Sequence, residues 1–67
     1  MGTKLTKREI DILELLAEGH ENKKIAEMEG IAETTVRTHV NNIYNKLSLP
    51  DGNTRVLAAI YYLKYFA

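Results

Sequence analysis

Residues 25–47 read IAEMEGIAETTVRTHVNNIYNKL, and Gly30 divides this stretch into two helical patterns. After the glycine, four apolar residues recur at intervals of three and four, which is the spacing of one side of an α-helix: Val36, Val40, Ile43 and Leu47. This stripe predicts a helix from about Glu33 to Leu47 or Ser48, with one side buried in a core.

The opposite side of this predicted helix carries short polar side chains: Thr34, Thr38, Asn41 and Asn45, flanked by Arg37 and Asn42. Asn and Thr each cost a helix roughly 0.5 kcal/mol relative to Ala, so helix stability does not explain their presence. Amides and hydroxyls that bond base edges and phosphates, beside a guanidinium that can bind a guanine edge, suit a helix in the major groove. The pattern predicts a DNA-reading helix-turn-helix.

The composition limits the other classes of function. A chain of 67 residues forms one small domain with one core. It has no cysteine and only two separated histidines, so we expect no disulfide, metal or cofactor. No apolar run approaches the roughly 20 residues that span a bilayer, and the start Met1-Gly2-Thr3-Lys4 does not resemble a signal peptide. We therefore expect a cytoplasmic protein with no membrane partner.

The net charge of zero disguises an uneven distribution of charge. Eight of the nine acidic residues lie at or before Glu33, and the ninth is Asp51. The segment between them contains Arg37, His39 and Lys46 and no carboxylate. One surface should therefore be mildly basic, as a phosphate-binding surface needs to be.

Three further helices are predicted around this segment. Thr6 and Glu9 have the spacing of a capping box, so a first helix should begin near Lys7 and end at Gly19. Its buried side should hold Ile10, Leu13, Leu16 and Ala17, with Ile12 alongside. A short second helix should run from about Asn22 to Glu29, and Gly30 supplies the turn into the third.

The fourth helix, from about Arg55 to Tyr65, follows the loop signal Pro50-Asp51-Gly52-Asn53, with Asn53 or Thr54 as its cap. It is apolar on two sides. Val56, Ala59, Ile60, Leu63 and Phe66 can line one side, and Leu57, Ala58, Tyr61 and Tyr65 the other. A domain this small can cover only one of them, so the other side predicts a partner.

Four fragments together resemble the LuxR/FixJ/NarL-type DNA-binding domain: LTKRE from Leu5, NKKIA from Asn22, TVRTHV from Thr35 and IYNKL from Ile43. Their order and spacing make the resemblance specific. It implies an all-α, four-helix bundle over residues 1–67, in which helices two and three form the helix-turn-helix, helix three enters the major groove and helix four makes a symmetric dimer. It also implies a bacterial transcription regulator, with an N-terminal receiver or ligand-binding domain and RNA polymerase as further partners.

The resemblance assigns roles position by position. Base contacts fall on Arg37, Thr38 and Asn41, which the exposed-face pattern selects independently. Phosphate contacts fall on Asn22, Lys23, Thr35, Tyr44 and Lys46, to which the same face adds Thr34. The expected dimer contacts on helix four are Leu57, Ala58, Tyr61 and Tyr65.

The chain departs from the family pattern at three places. Glu29 stands where the family has an apolar residue, for which Met28 is a candidate substitute. Ala32 replaces the Ser or Thr that caps the recognition helix, which forfeits about 1 kcal/mol. The connection from Ser48 to Thr54 is a few residues longer than the common form.

Other interpretations of the same residues remain open. Arg37, Lys46, Lys23 and Lys24 can be ordinary surface cations, and the tyrosines of helix four suit packing or dimerisation better than stacking on single strands. A helix-turn-helix retained for protein contact through helix four is the nearest alternative. A hydrolase using Glu9 or His39 is disfavoured, because no nucleophile, base and orienting acid cluster in the pattern.

Overall fold

The computed structural model describes residues 4–49 and 54–66 and contains four α-helices in this part of the chain: α1 (Lys7–Ala17), α2 (Asn22–Glu29), α3 (Glu33–Lys46) and α4 (Thr54–Tyr65). The all-α prediction is confirmed, and each helix lies within two residues of its predicted bounds. The predicted loop Pro50-Asp51-Gly52-Asn53, including Asn53 as a cap, lies outside the described residues. Thr54, the other candidate cap, is already the first residue of the helix.

The start of α1 is fixed by the predicted capping box. The Glu9 amide donates to Thr6 Oγ1 over 3.1 Å, and the Thr6 amide donates to Glu9 Oε1 over 2.9 Å. Each hydrogen bond satisfies an amide that the helix itself leaves without a partner. The sequence signal was therefore sufficient to place this helix start.

Three of the four helices end in the same way, with a left-handed residue followed by an amide that reaches back to a carbonyl of the last turn. Gly19 has φ +94°, and the His20 amide donates to the Leu15 carbonyl over 3.2 Å. Gly30 has φ +69°, and the Ile31 amide donates to the Ala26 carbonyl over 3.0 Å. Both are Schellman motifs, for which glycine is the preferred residue because it has no Cβ.

The end of α3 uses the same motif without a glycine. Ser48 has φ +54°, and the Leu49 amide donates to the Tyr44 carbonyl over 3.2 Å. A side chain in this conformation costs roughly 1 kcal/mol. The third turn is therefore the strained member of the set.

The core lies between the four helices, and Ala58 is the one buried residue that α4 contributes. Its buried apolar residues are Ile12, Leu13, Leu16, Ile25, Ala26, Val36, Val40, Ile43 and Ala58. The predicted stripe of α3 is confirmed, with Leu47 partly buried at its end. On α1 the buried side is rotated from the prediction: Ile12 is fully buried, whereas Ile10 and Ala17 are only half-buried.

Glu29 is stabilised at its position by an ion pair, and the neighbouring Met28 does not turn inward in its place. Arg8 Nη1 lies 2.5 Å from Glu29 Oε1, which ties α1 to the end of α2. Met28 remains 47% exposed, so the expectation that it replaces the missing apolar residue is wrong. Glu29 is therefore tolerated at this position because Arg8 pairs with it near the surface, where α1 and α2 meet.

Candidate DNA-binding surface

The outer side of α3 is exposed along its whole length. The exposed residues are Thr34, Thr35, Arg37, Thr38, Asn41, Asn42 and Asn45. Directly beneath them, Val36 and Ile43 are fully buried and Val40 nearly so. The polar side chains therefore project from a helix whose other side is fixed by close packing, which is the support that a recognition surface requires.

The three residues predicted to contact bases are brought together on this exposed side. Arg37 has 58% of its side chain exposed and directs Nη2 to within 3.6 Å of Glu33 Oε2. Thr38 Oγ1 donates to the Thr34 carbonyl over 3.1 Å, so its hydroxyl hydrogen is engaged while its oxygen can still accept. Asn41 lies one turn after Arg37 and is exposed. Together they present the guanidinium donors of Arg37, the hydroxyl acceptor of Thr38 and the Asn41 amide, which can both donate and accept.

The start of α2 provides a second group of candidate phosphate contacts. Lys23 is exposed, and Asn22 is half-buried because its side chain faces α4. Asn22 Oδ1 accepts from Arg55 Nη1 over 3.2 Å, and Arg55 Nη2 donates to the His20 carbonyl. The amide group of Asn22 is therefore oriented by Arg55, with its NH2 directed away from that bond.

Arg55 is the structural residue that sequence analysis missed. It lies in the first turn of α4 and hydrogen-bonds to the turn between α1 and α2 and to the first residue of α2. A lone arginine at a helix start carries no periodic signal, so the pattern of the sequence offered no way to find its partners. His20, in the turn between α1 and α2, contributes only its backbone carbonyl to this contact.

Lys46, predicted to contact phosphate, is engaged inside the domain. Its Nζ lies 2.7 Å from Glu9 Oε1, and the two side chains are 25% and 5% exposed. It also donates to the Lys4 carbonyl over 3.4 Å. Burial raises the pKa of Glu9, but the hydrogen bonds from Lys46 and from the Thr6 amide together lower it by more. The pKa therefore lies below its ordinary value. Glu9 thus joins the cap of α1 to the end of α3.

The Lys46–Glu9 pair joins the last turn of α3 to the start of α1. A nearly buried carboxylate without a cation would be costly, so the Lys46 ammonium is required where it is. Tyr44, also predicted to contact phosphate, is half-buried against the core. Both residues therefore differ from the exposed side chains on the outer side of α3, which remain available to a partner.

The outer surface of α4 is apolar, but not on the side that was predicted for a dimer. Ala58 is fully buried against the other helices, and Tyr61 packs against the core. The burial of Ala58 contradicts its expected role as a dimer contact, because its side chain has no surface left for a second chain. Leu57 is half-buried, and only Tyr65 of the predicted set is exposed, at 61%.

The exposed stripe of α4 consists instead of Val56, Ile60 and Leu63, which are 57%, 52% and 60% exposed. They line one side of a shallow groove of about 290 Å³ whose other side is formed by Leu16 and Ala17 of α1. The prediction that α4 retains an uncovered apolar side is therefore confirmed, with the inner and outer sides exchanged. None of the described helices is long and apolar enough to cross a bilayer.

Comparison with known proteins identifies this arrangement. The family described as "Bacterial regulatory proteins, luxR family" matches residues 3–59. The chain belongs to this family. The match includes the whole of α1, α2 and α3 and confirms the resemblance inferred from the sequence fragments. It supports DNA-binding transcription regulation as the general function.

Similar curated proteins are regulators from several bacteria. The chain is 51% identical over 57 residues to transcriptional regulatory protein LiaR of Bacillus subtilis (strain 168), which covers 85% of the chain and 26% of LiaR. It is 43% identical over 60 residues to nitrate/nitrite response regulator protein NarP of Escherichia coli (strain K12), covering 90% of the chain and 26% of NarP. For response regulator protein VraR of Staphylococcus aureus (strain Mu3 / ATCC 700698), the identity is 46% over 55 residues, covering 82% of the chain and 26% of VraR. The chain thus spans about a quarter of the length of these relatives.

Proposed function

We propose that this luxR-family domain binds double-stranded DNA in a sequence-specific manner by inserting α3 into the major groove. Arg37 and Asn41 read base edges, and Thr38 adds an acceptor and a methyl group to the same surface. The observation that carries the proposal is the exposed outer side of α3, which bears Asn, Thr and Arg over a fully packed base. From Thr34 to the end of α3 the sequence contains no carboxylate to repel the phosphates.

The phosphate contacts in this proposal come from the two helix starts. Thr34 and Thr35 lie in the first turn of α3, and Asn22 and Lys23 in the first turn of α2. The partial positive charge of a helix start favours phosphate, and hydroxyl and amide groups bind it without requiring a large net charge. This combination suits a chain whose acidic and basic residues are equal in number. Tyr44 and Lys46 are left out, because Tyr44 packs against the core and Lys46 is paired with Glu9.

We further propose that two copies bind together through the stripe of Val56, Ile60 and Leu63. Charged side chains are nearly absent from α4, and a second copy of the same stripe would cover the apolar groove beside it. One short helix buries less than the roughly 1,200 Å² of a stable interface, so DNA must supply part of the coupling. A two-fold axis between the copies requires an operator with inverted half-sites about one helical turn apart.

The relatives also bear on the protein as a whole. About three quarters of each relative lies outside the matched region, and several of the relatives are named response regulators. We propose that this domain works beside an N-terminal receiver or ligand-binding domain, and that RNA polymerase is a partner once the domain is on DNA.

The test is selection of bound duplexes from a random double-stranded pool, followed by affinity measurements at several salt concentrations. The proposal requires an enriched half-site, recovered as an inverted repeat, and an affinity that falls as salt rises. A chain that enriches no sequence and shows no salt-dependent binding would instead support the alternative, a helix-turn-helix used for protein contact through α4.

A further inference from the structure

The recognition helix contains one carboxylate, Glu33, and it faces the arginine proposed to read a base. Glu33 Oε2 lies 3.6 Å from Arg37 Nη2, and the two side chains are 46% and 58% exposed. Glu33 precedes Arg37 by one helical turn, so both project from the same side of α3. The pair lies at the edge of the proposed DNA surface.

Glu33 favours the start of α3 through its first-turn position, with or without Arg37, so its pairing with Arg37 adds little further stability. An ion pair between two exposed side chains one turn apart contributes little, because water and salt screen both charges. The Glu33 carboxylate would also repel the DNA backbone, since it adds a negative charge to a surface that must approach phosphates. The pair therefore acts mainly on how Arg37 meets DNA.

The effect differs between a phosphate and a guanine as the partner of Arg37. To bind a phosphate, the guanidinium must bring a second anion next to the Glu33 carboxylate, and the two negative charges repel. To bind the neutral edge of guanine, the guanidinium uses two of its five N–H groups and can keep others directed at Glu33. The carboxylate therefore penalises the first arrangement and tolerates the second.

We infer that Glu33 is a specificity-determining residue, which suppresses binding of Arg37 to the DNA backbone and so favours its binding to a base. The inference rests on the proposed sequence-specific DNA binding. Glu33 does not contact a base in this scheme. It acts through Arg37, by setting which partner that side chain accepts.

The experiment compares Glu33→Gln with Glu27→Gln in the 67-residue chain. Both changes remove one negative charge from an exposed side chain next to a cation, since Glu27 Oε1 lies 3.9 Å from Lys24 Nζ. Affinity is measured on the selected half-site and on a scrambled duplex of the same composition. Glu33→Gln should bind the scrambled duplex about fivefold more tightly than the parent chain, with less than about a twofold change on the half-site. Glu27→Gln should change both affinities equally.

A second arm tests whether the effect passes through Arg37. In an Arg37→Ala background, Glu33→Gln should lose at least half of its effect on the scrambled duplex, because the cation that it restrains is gone. Equal effects of Glu33→Gln and Glu27→Gln on the scrambled duplex would overturn the inference and leave the proposed function intact. A parent chain that enriches no half-site overturns the proposed function, whereas the scrambled-duplex comparison still decides whether Glu33 restrains Arg37.

Discussion

The outer sides of α3 and α4 are both exposed, yet they are built on opposite principles. The outer side of α3 bears amides, hydroxyls and one guanidinium over three buried β-branched residues, whereas the outer side of α4 bears Val56, Ile60 and Leu63. Directional groups select a partner by position, and apolar groups bind one by area. Substitutions on α3 should therefore change which DNA is bound, and substitutions on α4 should change how many copies bind.

The strongest challenge to this comparison is to place a charge on each side of α4. Ala58→Glu should unfold the domain, because it forces a carboxylate into a fully buried position at a cost of more than about 4 kcal/mol. Ile60→Glu should leave the helical content unchanged but weaken binding to an inverted repeat by about tenfold or more, with half-site binding retained. Circular dichroism and band-shift titrations measure the two effects. Equal helix loss in both variants would mean that the outer stripe is part of the core.

The anchor of α3 can be tested at its last turn. Lys46→Ala leaves the Glu9 carboxylate buried without its cation and should lower the free energy of unfolding by about 2 to 3 kcal/mol. Lys24→Ala is the matched control, since its ammonium is exposed and lies 3.9 Å from Glu27, and it should change stability by less than about 0.5 kcal/mol. Urea unfolding distinguishes them. If Lys46→Ala changes the free energy of unfolding only slightly but weakens binding to every duplex, Lys46 is a phosphate contact.

The same ion pair predicts how stability depends on pH. The pKa of Glu9 is lowered from its ordinary value of 4.5 in the folded chain, despite the opposing effect of burial, by its bonds to Lys46 and Thr6. The folded state therefore binds fewer protons than the unfolded state, and the stabilisation is present above about pH 4.5 and lost as the pH falls through the lowered pKa. Glu9→Gln should flatten the acid side of the stability profile. An unchanged profile would assign acid unfolding to other carboxylates.

On the outer side of α3, the expected effects fall on recognition. Arg37→Ala and Asn41→Ala should each cost about 1 to 3 kcal/mol on the selected half-site and relax the choice at one base pair. Because both side chains are exposed, the free energy of unfolding should hardly change. Affinity measurements on single-base variants of the half-site provide the test. Losses of the same size on selected and scrambled duplexes would identify these residues as backbone contacts.

The smallest effect concerns the turn after α3. Ser48→Gly should raise the free energy of unfolding by about 0.5 kcal/mol, since it relieves a positive φ of 54° at the cost of a more flexible unfolded chain. Gly30→Ala, at a φ of +69°, should have the opposite sign. Thermal unfolding of the two variants gives the comparison. A destabilising Ser48→Gly would mean that the serine side chain contributes a contact that outweighs its strain.

Much of the fold was predictable because its signals are local. The Thr6–Glu9 cap, the glycines at two helix ends and the stripe of α3 each act over a few residues, and each is found as predicted. The phase of α4 was not predictable, since apolar residues lie on both sides and only packing against α1 decides that Ala58 faces inward. Contacts between residues distant in sequence were not predictable either. Glu9 with Lys46 and Arg55 with His20 meet only in the folded chain, so Lys46 resembled a free surface cation.

The pairing of α1 with α4 has a consequence for biosynthesis. The first and last helices form the most extensive contact between any two of the four helices. During synthesis, α1 therefore leaves the ribosome well before its main partner, α4. A fragment that ends before α4 cannot complete the core, because it lacks Ala58 and the tyrosines that pack against the core. This domain should therefore remain unfolded or loosely helical until α4 has emerged from the ribosome, and should then fold in a single cooperative step.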